Sequence, residues 1–296
     1  GRWWMPGARE GDDAPPPERV NPEPMEELRG GDAFRLHNAN VYPEHPDRAY
    51  LGYIDGGCFI LDISDKSNPT VVSEWCPHPP YPGFTHTVMP LFDRGLLVVT
   101  DECIKDDGVD WPKLTWIIDA RNEKNLVPIS TLPMPPVEEY GHKGGRFGSH
   151  NLHENRPGPS FRSEEIIVGA FFNAGVRVYS IKNPYQPELI ANYVPPGPEN
   201  SRVPTIQINE VYVDENAIVY AGDRWAGGLY IMEMEKAVNQ KIDFPPVERT
   251  EFAPELPQSE PVKRRIAQRK YQANVGIDAI FTDFSLRADG LLRNMT

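Results

Sequence analysis

FILDIS (59–64), WIIDAR (116–121), VRVYSI (176–181) and LYIMEM (229–234) are four versions of one strand. Their fourth residues, Asp62, Asp119, Tyr179 and Met232, fall 53–60 residues apart. A second landmark keeps the same period. Each copy is followed by an apolar strand ending in proline: WCP (75–77), PMP (133–135), YVP (193–195) and FAP (252–254), with WMP (4–6) as a fifth. Two landmarks in step mark an internal repeat, and a repeat of this period governs the architecture.

Each repeat reads as four strands. In the first copy they are HNANVYP (37–43), RAYLGYI (48–54), CFILDIS (58–64) and TVVSEWC (70–76). The last two are joined by DKSNP (65–69), and KNPYQP (182–187) has the same turn chemistry in the third copy. The second strand ends at a glycine corner: DGG (55–57), NAG (173–175) and AGG (226–228). Glycine there permits the positive φ of a tight hairpin. One four-stranded sheet cannot bury both its faces, but sheets stacked radially can. The expectation is an all-β chain: a β-propeller of four-stranded antiparallel blades at 37–77, 86–135, 150–195 and 207–254. A solenoid coil would be shorter, and a sandwich does not repeat at this period.

LDISDKSNP (61–69), VYSIKNPYQPELI (178–190) and GLLVVTDE (95–102) resemble the LVIVD-repeat propellers. HTVMPLFDRGLLVVTDE (86–102), GGRFGSHNLHENRPG (144–158) and IQINEVYVDENAIVYAGDRWAGGLYIME (206–233) are similar to bacterial members of that family. The resemblance covers residues 1–235 and implies a propeller of about seven blades in the intact protein. Residues 1–6 read as the outer strand of a preceding blade whose other strands are either missing from this sequence or supplied by the C-terminal tail, and residues 7–33 as an inter-blade loop able to act as a lid. It implies little about activity, since propellers host many functions.

Composition narrows the partners. Thirty Lys and Arg against 43 Asp and Glu give a net charge of −13. Nucleic acid is therefore not expected, because phosphate backbones need a basic surface. The 32 prolines and 24 glycines are spread along the chain, as many short elements and tight turns require. Three cysteines, Cys58, Cys76 and Cys103, make no disulfide framework and favour a reducing, cytoplasmic setting. A secreted or periplasmic destination stays open, because the N-terminus reads as truncated. No apolar run reaches the ~20 residues of a transmembrane helix. Residues 255–296 depart from the repeat as a C-terminal extension. Its basic segment PVKRRIAQRKYQANVG (261–276) reads as a solvated helix end or an anchor for an acidic partner.

The candidate site comes from the innermost strands. Aligning their starts, RLHNANVYP, FTHTVMPLF, GSHNLHENR and IQINEVYVD, places His37, His86, His150 and Gln207 at one repeat position. Three of the seven histidines thus share one level around a propeller axis. Convergent neutral imidazoles suit a transition metal such as Fe, Mn, Cu or Zn, and three protein ligands leave positions open for substrate. The competing reading is a repeat consensus in which each histidine hydrogen-bonds the next blade. His153, Glu154, Gln207 and Glu210 are candidates to support the imidazoles. Asp101 and Glu102 end a second strand, and Asp101 is taken as a further orienting carboxylate. His142, Arg146, Arg224 and Trp225 are candidates to wall a pocket for a small molecule, the arginines by pairing with an anion. His45 and His78 read as surface residues. No GxSxG, P-loop or CxxC motif is present. The expected function is a metal-dependent enzyme, oxidative or hydrolytic, with unassigned catalytic residues. By analogy of fold it is comparable to carotenoid-cleaving oxygenases and selenium-binding propellers. The alternative is a non-catalytic scaffold.

Overall fold

The computed structural model describes residues 35–78, 80–234 and 281–283, and residue 13. Among them the chain is all-β, with sheets of consecutive antiparallel strands. The first sheet is β1 (Asn38–Tyr42), β2 (His45–Gly52), β3 (Cys58–Asp62) and β4 (Thr70–Trp75), in that order. The second is β5 (Thr85–Leu91), β6 (Leu96–Asp101), β7 (Thr115–Asp119) and β8 (Val127–Thr131). The third pairs β9 (Ile166–Ala170), β10 (Val176–Ser180) and β11 (Glu188–Tyr193). Its inner place is taken by residues 150–153, which run along β9 without a regular ladder. Here the His150 N–H donates to the Ala170 carbonyl (3.1 Å) and the His153 N–H to Val168 (2.8 Å).

The fourth sheet is β12 (Ile208–Val213), β13 (Ile218–Asp223), β14 (Leu229–Met234) and β15 (Phe281–Asp283). β15 lies within the segment read as an extension, yet it pairs with β14 as the fourth strand. The expected strand at 252–254, residues 1–6 and 7–33, and the basic segment 261–276 lie outside the described residues.

The repeated turns have a chemical cause. Asp62, Asp119 and Ser180 each accept the backbone N–H two residues ahead, from Ser64, Arg121 and Lys182. Asp65, Asn122 and Asn183 then do the same for Ser67, Lys124 and Tyr185. Such side-chain caps close the β3–β4 type of turn in the first three sheets. They also fix the alignment. Strand pairing makes Asp62, Asp119, Ser180 and Glu233 equivalent, since they face Arg48, Leu96, Ile166 and Ile218, which stand at the same register in the second strands. Tyr179 and Met232 are therefore one residue out of step with Asp62, a slip that would reverse the face of every side chain.

The central strands of the second and third sheets are apolar on both faces because each of these sheets lies between neighbours. Cys58 and Ile60 join Val88, Val99 and Ile118 between the first two sheets, while Phe59 and Leu61 join Ala49, Leu51 and Tyr53 on the other face. Ile117 and Leu96 meet Ile167 and Tyr179 between the second and third. Val168 and Val178 meet Val211, Val219 and Met232 between the third and fourth. Backbone bridges at the inner ends, Ile54 to Thr85 and Phe172 to Ile208, tie the second-strand corner of one sheet to the inner strand of the next. Ile54 and Phe172 adopt positive φ (43° and 46°) at this shared corner, so that feature belongs to the repeat.

His78 is buried, not at the surface as the sequence implies. Its ring packs against Thr85, with Nε2 3.4 Å from the Thr85 hydroxyl. Burial, reinforced by Lys113, pushes its pKa down from 6.5 to about 4. A histidine kept neutral in the fold takes up a proton on unfolding, so its stabilising contribution is complete above pH 6.5 and is lost as pH falls towards 4. The expected result is that wild-type protein loses about 2 kcal/mol more than His78→Asn between pH 7 and 4.5 in urea unfolding. Parallel losses in both proteins would show that His78 titrates normally.

Candidate metal centre

The inner strand ends bring three imidazoles around one carboxylate. His37 precedes β1, His86 lies in β5, and His150 opens the segment along β9. The His37 and His86 rings are 4.1 Å apart, and those of His86 and His150 are 4.6 Å apart. The carboxylate is Glu102, the residue after β6, which is 7 % exposed. Its Oε2 lies 3.7 Å from His37 Nε2 and 3.9 Å from His86 Nε2. Its Oε1 lies 3.4 Å from His150 Nε2 and accepts a hydrogen bond from Arg146 at 2.7 Å.

His37, His86 and Glu102 form a group that could hold a metal ion, with their donor atoms all within 4.8 Å of one another. The spacing suits an ion: bonds of ~2.1 Å in a tetrahedron put donor atoms ~3.4 Å apart. His150 stands against the other carboxylate oxygen, so the most compact trio has Glu102 in the third place.

The outer ring nitrogens are held. His150 Nδ1 is 2.7 Å from the Asn209 carbonyl, which selects the tautomer with a free Nε2 lone pair. His86 Nδ1 is 2.6 Å from the Thr87 hydroxyl. Burial lowers the His86 pKa to about 2, helped by His150 and His37, and that of His150 to about 3. Both rings are therefore neutral and able to donate to a metal. Burial raises the Glu102 pKa, against the pull of Arg146, Arg224 and Lys113.

The other sequence candidates sort by what they touch. Asp101 points away from the imidazoles, into the second sheet, where it accepts bonds from Trp116 Nε1 (2.8 Å) and the Thr85 hydroxyl (3.1 Å). Burial raises its pKa to about 6. Adjacent strand residues face opposite ways, so the orienting role expected of Asp101 passes to its neighbour as the central carboxylate. Strand parity around Thr100 was the signal that could have told them apart.

Gln207 is not the fourth equivalent of the histidines. Glu210 pairs with Gly222 as Thr87 pairs with Thr100 and Asn38 with Gly52, so the equivalent residue is Asn209. His86 and Asn209 are the bulged residues at the same point of their strands, residues 85–87 and 208–210. Gln207 instead clips two loops: its Oε1 accepts the Arg146 N–H (2.8 Å) and its carbonyl the Arg224 N–H (3.0 Å).

His153 uses both nitrogens structurally, facing the Phe161 carbonyl (2.7 Å) and the Val213 N–H (3.0 Å). Glu154 pairs with Arg156 (2.9 Å) and accepts from Asn38 (3.4 Å). Glu210 accepts from Asn151. These residues line a separate cavity of about 470 Å³ with His153 and Tyr212, rather than supporting the imidazoles. His142 is exposed after the short helix Val137–Tyr140. Arg146 reaches the site directly. Arg224 and Trp225 stand beside it: Arg224 lies 5.3 Å from the Trp225 ring and 5.7 Å from that of Phe172, which stacks on His150 at 4.8 Å.

No protein-family profile and no curated protein matches the chain. Among solved structures, the computationally designed Ika4 protein is similar with a TM-score of 0.40 and 12 % identity, over 68 % of this chain and 92 % of that one. A hypothetical selenium-binding protein from Sulfolobus tokodaii has a TM-score of 0.32 and 14 % identity, over 70 % of this chain and 64 % of that one.

Cys58, Cys76 and Cys103 are unbridged. Among the described residues no helix is long and apolar enough to cross a membrane.

Proposed function

We propose that the chain is a propeller of the LVIVD-repeat kind and a metal-dependent enzyme, with the ion held by His37, His86, His150 and Glu102 where the inner strands converge. The carrying observation is the approach of three Nε2 atoms to one buried carboxylate at 3.4–3.9 Å. The low-pKa imidazoles of His86 and His150, each with Nδ1 in hydrogen-bonding contact, supply neutral donors. A first-row ion there would act as a Lewis acid, activate water or bind oxygen, leaving oxidative and hydrolytic chemistry both open. The chain's own part is to fix four donors, with His37 giving access from solvent through its 31 % exposed side chain.

The scaffold reading is favoured by one observation, the Arg146–Glu102 ion pair, which neutralises the carboxylate without a metal. Elemental analysis of freshly purified protein separates the two. Wild type should hold about one first-row ion per chain. His86→Ala should hold almost none while keeping its circular dichroism, since apolar stacking and not the ion supports the sheets. Equal metal in both proteins, or none in either after growth with Fe, Mn, Cu and Zn, would leave the scaffold.

A further inference from the structure

We infer that Arg146 and Arg224 form an oxoanion clamp beside the histidine–glutamate group, and that the small-molecule substrate carries a carboxylate or phosphate-type end. This deepens the metal-enzyme reading and rests on it for the position of the reacting atoms; anion binding itself needs no metal.

The two guanidinium groups converge from different sheets. Their central carbons lie 5.5 and 5.7 Å from the centre of the Phe172 ring, and that ring stacks on His150 at 4.8 Å. Their backbones are fixed by the same residue, Gln207, which is 1 % exposed and accepts the N–H of both. Asp223 holds this clip from below by accepting the Gln207 N–H at 2.7 Å. Gly145 allows the close approach: a Cβ there would lie 2.5 Å from the Gln207 amide nitrogen, and φ is +71°. The local fold thus builds a platform under two arginines.

Charge completes the argument. Arg146 is matched by Glu102 at 2.7 Å. Arg224 has no carboxylate within ion-pair distance among the described residues; Asp106 and Glu102 act on it only at longer range. Burial and repulsion from Arg146 work against its charge. Two arginines against the one carboxylate of Glu102 give the cluster surplus positive charge in a protein whose net charge is −13. A half-buried guanidinium presenting paired N–H donors beside a second one is built for a planar or tetrahedral oxoanion. Trp225 and Phe172 supply aromatic faces to the Arg224 guanidinium, at 5.3 and 5.7 Å from its central carbon.

The test is calorimetric titration of full-length protein, stripped with EDTA, using sodium acetate and inorganic phosphate as separate probes. Wild type should bind one of them saturably, and the better probe identifies the carboxylate or phosphate class. Arg224→Gln should weaken that binding about tenfold or more, with Arg224→Lys between the two and the distant Arg121→Gln unchanged. Metal content of Arg224→Gln should equal that of wild type. Failure of the clamp is read as equal affinity in wild type and Arg224→Gln, or as no saturable binding of either probe. Failure of the metal reading is read separately, as anion binding that Arg224→Gln weakens in a protein that never holds metal.

Discussion

Glu102→Gln should lower the affinity for a first-row ion by about 100-fold or more while leaving the sheets intact. Glu102 is the one anionic donor in the group, and all three Nε2 atoms stand within 3.9 Å of its oxygens. The amide keeps the shape and can still accept from Arg146, so packing is preserved. It loses the negative charge that offsets a divalent ion and Arg146 together. In a metal-free protein the amide still accepts from Arg146, so the fold should persist with stability lowered by the loss of the ion pair. Competition with a chromogenic chelator measures the affinity, and thermal unfolding of the stripped protein measures the fold. Equal chelator competition in variant and wild type would remove Glu102 from the ligand set. A collapse of the stripped variant would show that the Arg146–Glu102 pair is structural first.

Gly52→Ala should be the most damaging single methyl in the inner strands. A Cβ at Gly52 would lie 2.1 Å from the His86 carbonyl oxygen and 2.6 Å from its carbon. Both are backbone atoms, so β5 must move, and His86 moves with it. The expected loss is about 2–3 kcal/mol, accompanied by weakened metal binding. The repeat supplies its own control. Strand pairing makes Thr100, Ala170 and Gly222 the equivalents of Gly52 in the other sheets. A Cβ at Gly222 would meet only the Glu210 Cβ at 3.8 Å, an ordinary contact. Gly222→Ala should therefore be tolerated. Chemical denaturation of both variants checks the contrast; equal midpoints would mean that β5 yields without cost.

These two residues also show where the sequence stops being readable. The strand repeat, its turns and its glycine corners were legible because each is local. Asp65, Ser67 and Asn68 make their bonds within four residues, and alternate apolar residues declare two buried faces. The three histidines were legible because a repeat turns distance along the chain into proximity in space. His37 and His150, 31 % and 7 % exposed at their side chains, stand around the same carboxylate.

What the sequence by itself determined was the unit: a four-stranded antiparallel sheet, its period and the side chains at its inner end. The tertiary structure alone decided the register there. The inner strands bulge at the same place, residues 85–87 and 208–210, so Asn209, two residues after Gln207, matches His86. It decided that Glu102 faces the imidazoles while Asp101 turns to Trp116. It buried His78 against Thr85, and it set Gln207 to hold two arginine loops together. The physical reason is that a strand's hydrophobic pattern records which residues are buried, while what each one faces depends on strand parity for Asp101 and Glu102 and on the neighbouring sheet for loop residues such as His78 and Gln207.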